Sequence, residues 1–442
     1  MRAAESREPR ANGRDARPDR EPRADALDFW RSLGDTTLQR LLAQALGANH
    51  DVEVARARAS GARAARLGAA LELTPSVTAG GGWSRQRIAS STFPGAVGAF
   101  PDQEFWDAGL RASWEVDVFG RLRRSLRGQG ELASAADEDR RDVQVLVAAQ
   151  VASAYFDLRG AQDRLAVARR NAENQRGTLE VTKQRLEAGR GTALDSERAQ
   201  AQLSATLAVI PTLEARIAAA QYRIGVLSGR PPAEVAGELS HGATVVALPE
   251  APVISRPDSV ALRRPDVRSA ERRMAASSAF VGAAKADYLP RFALGATAGY
   301  TGATFDSFGN TGTRRYTFGP VVSWPALDIG RVRAGVDAAR ASEAEAKARY
   351  EQTVLRSTEE LETSLVAYRK ALERLKHLED AAAASERAAE LARLRYVEGA
   401  SDFLQVLDAE RTLLERQDAF SAGRTEAAAG LVAVYRALGG GR

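Results

Sequence analysis

Cysteine is missing from all 442 residues. That excludes disulfides, thiolate metal sites and a cysteine nucleophile, and it leaves no thiol for a lipid anchor. Histidine occurs three times, at His50, His241 and His377, widely separated and in no metal-ligand pattern. There is no nucleophile elbow and no phosphate-binding glycine loop. No catalytic residue, metal or cofactor is therefore expected, and an enzyme is the class the residues support least. No run of 18 apolar residues exists, so no transmembrane helix is expected. The start lacks the basic, apolar and small-residue order of a signal peptide, which by itself points to a cytoplasmic protein. Charge of one sign is also scarce: 62 basic and 57 acidic residues are interspersed, for a net +5. A nucleic-acid partner would call for a concentrated basic patch, and none is expected. The one biased run is Met1–Arg23, where arginines alternate with Pro, Ala, Asp and Glu. It reads as disordered.

What is abundant is alanine, with Glu, Arg and Leu, from about Leu126 onward. That is the composition of long helices and coiled coils. The strongest signal is self-similarity. Trp114-Glu-Val-Asp-Val-Phe-Gly-Arg121 matches Trp324-Pro-Ala-Leu-Asp-Ile-Gly-Arg331, and Gly330 minus Gly120 gives an offset of 210. The same offset joins Gly189 to Gly399, Leu194 to Leu404, Leu203 to Leu413, and Gly229 to Gly439. Upstream, Asp51 pairs with Asp266 and Pro75 with Pro290 at an offset of 215. The loop between Pro75 and Trp114 is thus five residues longer in the first copy.

Each copy has the same layout. A helix (about Asp35–Leu71; Ser259–Asp287) leads to a proline, two β-like segments and two long helices joined at a glycine turn (Gly189–Thr192; Gly399–Asp402). The expected division is a head at 1–26, a first-repeat helix and equatorial region at 27–74, membrane strands at 75–117 and a coiled-coil pair at 118–230. An inter-repeat linker at 231–258 precedes a second helix at 259–289, strands at 290–327, a coiled-coil pair at 328–438 and a tail at 439–442.

The β-like segments alternate with period two over about ten residues, the length of a tilted strand that crosses a bilayer. In Phe105–Trp114, Trp106, Ala108, Leu110, Ala112 and Trp114 alternate with Asp107, Gly109, Arg111 and Ser113. Trp83, Trp106, Trp114, Tyr300, Tyr316 and Trp324 lie toward strand ends on the apolar face, as in an aromatic girdle at the headgroups of outer-membrane lipid. A soluble β-sandwich also alternates, but four isolated strands flanked by long helices make a poor one. Four strands cannot close a barrel alone, and lipid tolerates no open edge. Three protomers would supply twelve strands, enough to surround a lumen. The fold class expected is therefore an α+β membrane protein: a trimeric β-barrel, four strands per protomer, continuing into a long α-helical coiled-coil barrel.

Leu361, Leu365, Tyr368, Leu372 and Leu375 recur in steps of four and three, and Val143, Val147, Val151, Ala154, Leu158 and Leu165 form a similar stripe. A helix of about 60 residues would span roughly 90 Å, enough for a duct across the periplasm. A plain coiled-coil scaffold would share the helices but not the strands. At the tips, Asp195, Asp402 and Asp408 follow the glycines. N-capping accounts for Asp402 and less well for the deeper two, and a ring of inward aspartates would attract cations.

The sequence resembles the TolC-like outer-membrane efflux factors of the NodT/OprM lipoprotein type, over about Phe29 to the C-terminus. The landmarks are Trp30-Arg-Ser-Leu-Gly-Asp35, Trp114–Arg124, Arg264-Pro-Asp-Val-Arg-Ser-Ala-Glu271, Asp328-Ile-Gly-Arg331, and Arg395-Tyr-Val-Glu-Gly399 with Phe403–Arg411. The resemblance implies an outer-membrane homotrimer, extending into the periplasm, that conducts small molecules from an inner-membrane RND transporter and a periplasmic adaptor. It implies a pore gate at Leu404 and Asp408, a lock between Asp195 and Tyr396, and adaptor docking around Gly189, Gly191, Gly399 and Asp402. Ser401 and Gln405 stand where better-known relatives carry an Arg or a second Asp. The exit channel of a type I protein-secretion system is the nearest alternative.

Overall fold

The computed structural model describes residues 29–89, 100–240, 247–252 and 262–440. The expected head at 1–26, part of the linker, the start of the second-repeat helix and the last two residues lie outside the described residues. Helix α1 (Thr36–Ala48) and helix α2 (His50–Leu71) lead to strands β1 (Ser76–Gln86) and β2 (Gln103–Val116). Helices α3 (Arg121–Glu187), α4 (Ala193–Leu227) and the short α5 (Pro232–Glu238) complete the first half. Helix α6 (Pro265–Ala286), strands β3 (Arg291–Gly302) and β4 (Arg314–Ser323), and helices α7 (Ile329–Val397) and α8 (Phe403–Ala437) form the second. The duplication shows in the lengths: α2 and α6 have 22 residues each, α3 and α7 have 67 and 69, and α4 and α8 have 35 each.

The single helix expected over Asp35–Leu71 is two. Asn49 ends α1 in an extended conformation and accepts hydrogen bonds from the Asp51 and Val52 amides, which caps α2. Its side-chain amide donates to the Leu227 carbonyl at 2.8 Å, so the break is pinned to the end of α4. Helix α1 itself starts at an Asp35 cap and buries Leu38, Leu41 and Leu42 completely. These leucines join Trp30, Val151, Leu158, Leu361, Tyr368, Leu431 and Tyr435 in the main core, at the level where all the long helices pass. Each such leucine contributes roughly 1.5–3 kcal/mol by leaving water.

The four strands form one antiparallel sheet in the order β1-β2-β3-β4. Its register aligns Val77, Ala112, Ala296 and Phe318 in one row of one face, and Thr78, Arg111, Thr297 and Thr317 in a row of the other. One face is therefore apolar and one polar across all four strands. Gly80, Gly109 and Gly299 meet in the next polar-face row. A Cβ on Gly299 would lie 2.3 Å from the Ala108 carbonyl oxygen, and one on Gly109 would lie 2.7 Å from that of Ala298. Only glycine lets the strands approach here.

The long helices run as two antiparallel pairs, α3 with α4 and α7 with α8. At 1.5 Å per residue α3 and α7 each span about 100 Å. Both anticipated stripes face inward: Val147, Val151, Ala154, Leu158 and Leu165 are buried in α3, and Leu361, Leu365 and Tyr368 in α7. One expectation is corrected by composition. Helix α4 is long and apolar enough to cross a membrane, although no unbroken 18-residue apolar run exists, because its alanines, threonines and serines dilute the few charges. It packs beside α3 in the coiled coil, with Leu203, Leu213, Ile224 and Leu227 buried and Val209, Tyr222 and Val226 exposed.

Candidate periplasmic gate and membrane belt

Helices α3 and α7 end the same way, and each returns through five residues. Gly189 and Gly399 have φ of 69° and 78°. The Gly189 amide donates to the Leu186 carbonyl and the Arg190 amide to that of Arg185, and the same pair of bonds recurs from Gly399 to Tyr396 and Ala400 to Arg395. These are Schellman ends, which need a left-handed residue and so favour glycine. Gly191 is not left-handed, and a Cβ there would lie 3.2 Å from the Leu186 nitrogen.

The acidic tip residues take different roles. Asp402 caps α8, accepting from the Gln405 amide at 3.2 Å. Asp195 is also part of a cap: Thr192 accepts from the Asp195 amide, while the Asp195 carboxylate accepts from the Thr192 amide and, at 2.7 Å, its hydroxyl. The sequence reading gave Asp195 little weight as a cap, although Thr-x-x-Asp ahead of a helix is a capping-box pattern. Asp408 lies a turn along α8, two-thirds exposed, and pairs with Arg411 at 2.9 Å. Leu404 is 54% exposed one turn before it. The four-residue spacing puts the two on one helix face, where both stay exposed.

Tyr396 is 7% exposed, against Phe403, with the Arg185 guanidinium 4.2 Å above its ring. Arg185 also donates to the carbonyls of Tyr396 and Val397. No hydrogen bond joins Asp195 to Tyr396 among the described residues of the protomer; each has another partner. Sequence reasoning missed Arg185, and it also missed Glu410. The Glu410 carboxylate is 2% exposed and accepts from Arg393 at 2.8 Å and from the Thr178 hydroxyl at 2.7 Å. It thus ties α3, α7 and α8 together about two turns above the tip. A lone Glu amid an Ala/Leu stripe gives no sign of such burial.

At the sheet, five of the six aromatics fall into two groups on the apolar face. Trp83 pairs with Trp106 in register, ring centres 6.1 Å apart, and Trp106 also meets Phe305 at 5.1 Å. Tyr300 contacts Phe308 in the same half, whereas Tyr316, 85% exposed, stands in the row of Leu110, midway between Trp106 and Trp114. In the other half Trp114 donates to the Leu73 carbonyl at 2.9 Å, and Trp324, just past β4, donates to that of Tyr288 at 3.1 Å. Eight residues separate Trp106 from Trp114, roughly 27 Å along β2, or about 20 Å of height at a tilt of about 40°. That is close to the apolar band of an outer-membrane barrel. The polar face carries Asp107 and Arg315, joined by a bidentate pair at 2.6–2.9 Å that Thr301 completes. Among the described residues no group of His, Cys, Asp and Glu could hold a metal.

The chain matches the family model described as outer membrane efflux protein twice, over residues 41–230 and 257–440. It belongs to that family. It is 31% identical to the toluene efflux pump outer membrane protein TtgF of Pseudomonas putida over 421 residues, covering 94% of this chain and 85% of that protein. It is likewise 31% identical to the outer membrane protein OprJ of Pseudomonas aeruginosa over 426 residues, covering 94% and 87%. The solved structure of the outer-membrane channel OprN superposes with a TM-score of 0.86 at 40% identity, covering 93% of this chain and 92% of that one. The fold is that of the trimeric TolC-like channels, with a four-stranded share of the barrel in each protomer. The protein is an outer-membrane efflux channel that reaches into the periplasm. The cytoplasmic reading of its first residues is thereby overturned. Its family is one of channels, not of enzymes.

Proposed function

We propose that this channel is the passive exit duct of a tripartite pump, in which an inner-membrane RND transporter and a periplasmic adaptor deliver small molecules to its periplasmic tip. It carries out no chemistry of its own. Leu404 and Asp408 form the gate, three copies of each narrowing the pore. One observation carries this reading: one turn apart near the helix tip stand an exposed leucine and an exposed carboxylate whose ion pair is with Arg411 of the same helix. Gly189, Gly191, Gly399 and Asp402 present the turns that the adaptor grips. Asp195 and Tyr396 lock neighbouring coiled coils, through a tyrosine hydroxyl that has no hydrogen bond among the described residues. Trp83, Trp106, Trp114, Tyr300, Tyr316 and Trp324 face outer-membrane lipid.

Single-channel recording in planar bilayers tests the gate. Leu404→Ser with Asp408→Ala raises conductance several-fold over wild type, and Asp408→Asn alone lowers the preference for cations. Unchanged conductance in the double variant would remove the gate from these residues. Tyr396→Phe keeps the ring under Arg185 and tests the hydroxyl alone; wild-type conductance there and in Asp195→Ala would mean that no such lock exists.

A further inference from the structure

On the polar face of the sheet the charged residues are Asp107, Arg111, Glu115, Arg291 and Arg315. Four of them are neutralised close by. Asp107 and Arg315 pair with each other, Glu115 takes Arg121 through two hydrogen bonds, and Arg291 pairs with Asp287 at 2.7 Å. Arg111 is exposed and has no ion pair or side-chain hydrogen bond among the described residues. The rows on either side of it are mostly small: Gly80, Gly109 and Gly299 with Arg315, which is bound to Asp107, on one side, and Ser76, Ser113, Gly295 and Gly319 on the other. Within its own row only Thr78, Thr297 and Thr317 accompany it.

We propose that Arg111 makes an anion-favouring ring near mid-height of the barrel lumen. Three protomers bring three guanidiniums and nine threonine hydroxyls to one level, between rows of glycine and serine in which the one other charge, Arg315, is neutralised by Asp107. A guanidinium with neighbouring hydroxyls suits carboxylate, sulfonate and phosphate groups. A ring of like charge in a pore concentrates the opposite ion. The duct is then bipolar: acidic at the periplasmic mouth, basic in the barrel. Arg111 thus determines specificity, easing the last stage of passage for anionic molecules. The inference rests on the trimeric barrel and on its polar face lining the lumen.

The 442 residues contain no cysteine, so Thr317→Cys in the trimer of this chain supplies a single thiol per protomer in the Arg111 row. Anionic sulfonatoethyl and cationic trimethylammonioethyl methanethiosulfonates are added from the barrel side, and each rate is divided by that with free cysteine. The anionic-to-cationic ratio falls about fivefold when Arg111→Gln is added, from three charges at about 10 Å screened by salt, and Arg111→Lys retains it. An equal ratio with and without Arg111 overturns the proposal while leaving the lumen assignment standing. No reaction with either reagent removes the lumen assignment and the proposal together. Neither outcome bears on the gate, which is read from the conductance of the Leu404 and Asp408 variants.

Discussion

Asp142 illustrates how one side chain feels the helices around it. It is half-buried between α3, α6 and α7, beside a cavity of about 750 Å³ that Asp139, Asp266, Arg273 and Arg349 also line. Burial, with repulsion from Asp266, pushes its carboxyl up to about 6, against a partial offset from Arg264. The folded protein therefore holds this proton more tightly than the unfolded chain. The contribution to stability is whole below about pH 4 and is lost as pH rises through about 6. Asp142→Asn should raise the thermal unfolding midpoint by about 2–4 °C at pH 7.5 and leave it nearly unchanged at pH 4, as differential scanning calorimetry of the detergent-solubilised trimer would show. The tip residues were legible by type but not by partner. Asp402 behaves as its position after a glycine suggests, whereas Asp195 is absorbed by a threonine three residues earlier. Arg185 and Glu410 act across helices more than 200 residues apart in sequence, which no local pattern encodes.

At the scale of elements, the strands and the long helices were readable because each has a period that burial enforces on every residue. Alternation marked the membrane strands within a few residues of their ends, and the stripes through Val151 and Leu361 marked the packed helix faces. The break at Asn49 was missed although Gly47, Asn49, His50 and Asp51 are weak helix formers and Asn is a favoured N-cap; what no local pattern encodes is its bond to the end of α4. The glycine landmarks acquire a physical reason: Gly189, Gly229, Gly399 and Gly439 all have positive φ and all end long helices. Replacing either tip glycine by alanine forces a Cβ into the left-handed region at a cost of about 1 kcal/mol. Gly189→Ala with Gly399→Ala should speed amide hydrogen exchange over residues 180–200 and 390–410, several-fold at each tip. Gly177→Ala lies inside α3 with open space around it and should have the opposite effect, since alanine stabilises a helix interior by about 1 kcal/mol.

For the whole molecule, the barrel is complete only in the trimer, so a defect in one strand pairing is a defect in assembly. Gly299→Val should abolish the detergent-stable trimer on size-exclusion chromatography, because its branched side chain meets the backbone of β2. Gly319→Ser, at a polar-face position with free space, should leave assembly intact. The tip turns have a consequence for motion as well. Five residues join α3 to α4 and five join α7 to α8, and all but Gly191 and Ser401 are committed to caps and Schellman bonds, so the ends of the helices hold little slack chain. The tip can widen only by moving whole helical hairpins. From the core around Leu158 to Glu187 is about 45 Å of helix, so a tilt of about 5° at the core carries the tip by about 4 Å. The coiled coil is then a lever with its fulcrum in the α1 leucine cluster, and the packing of that cluster, far from the tips, sets how stiffly they are held.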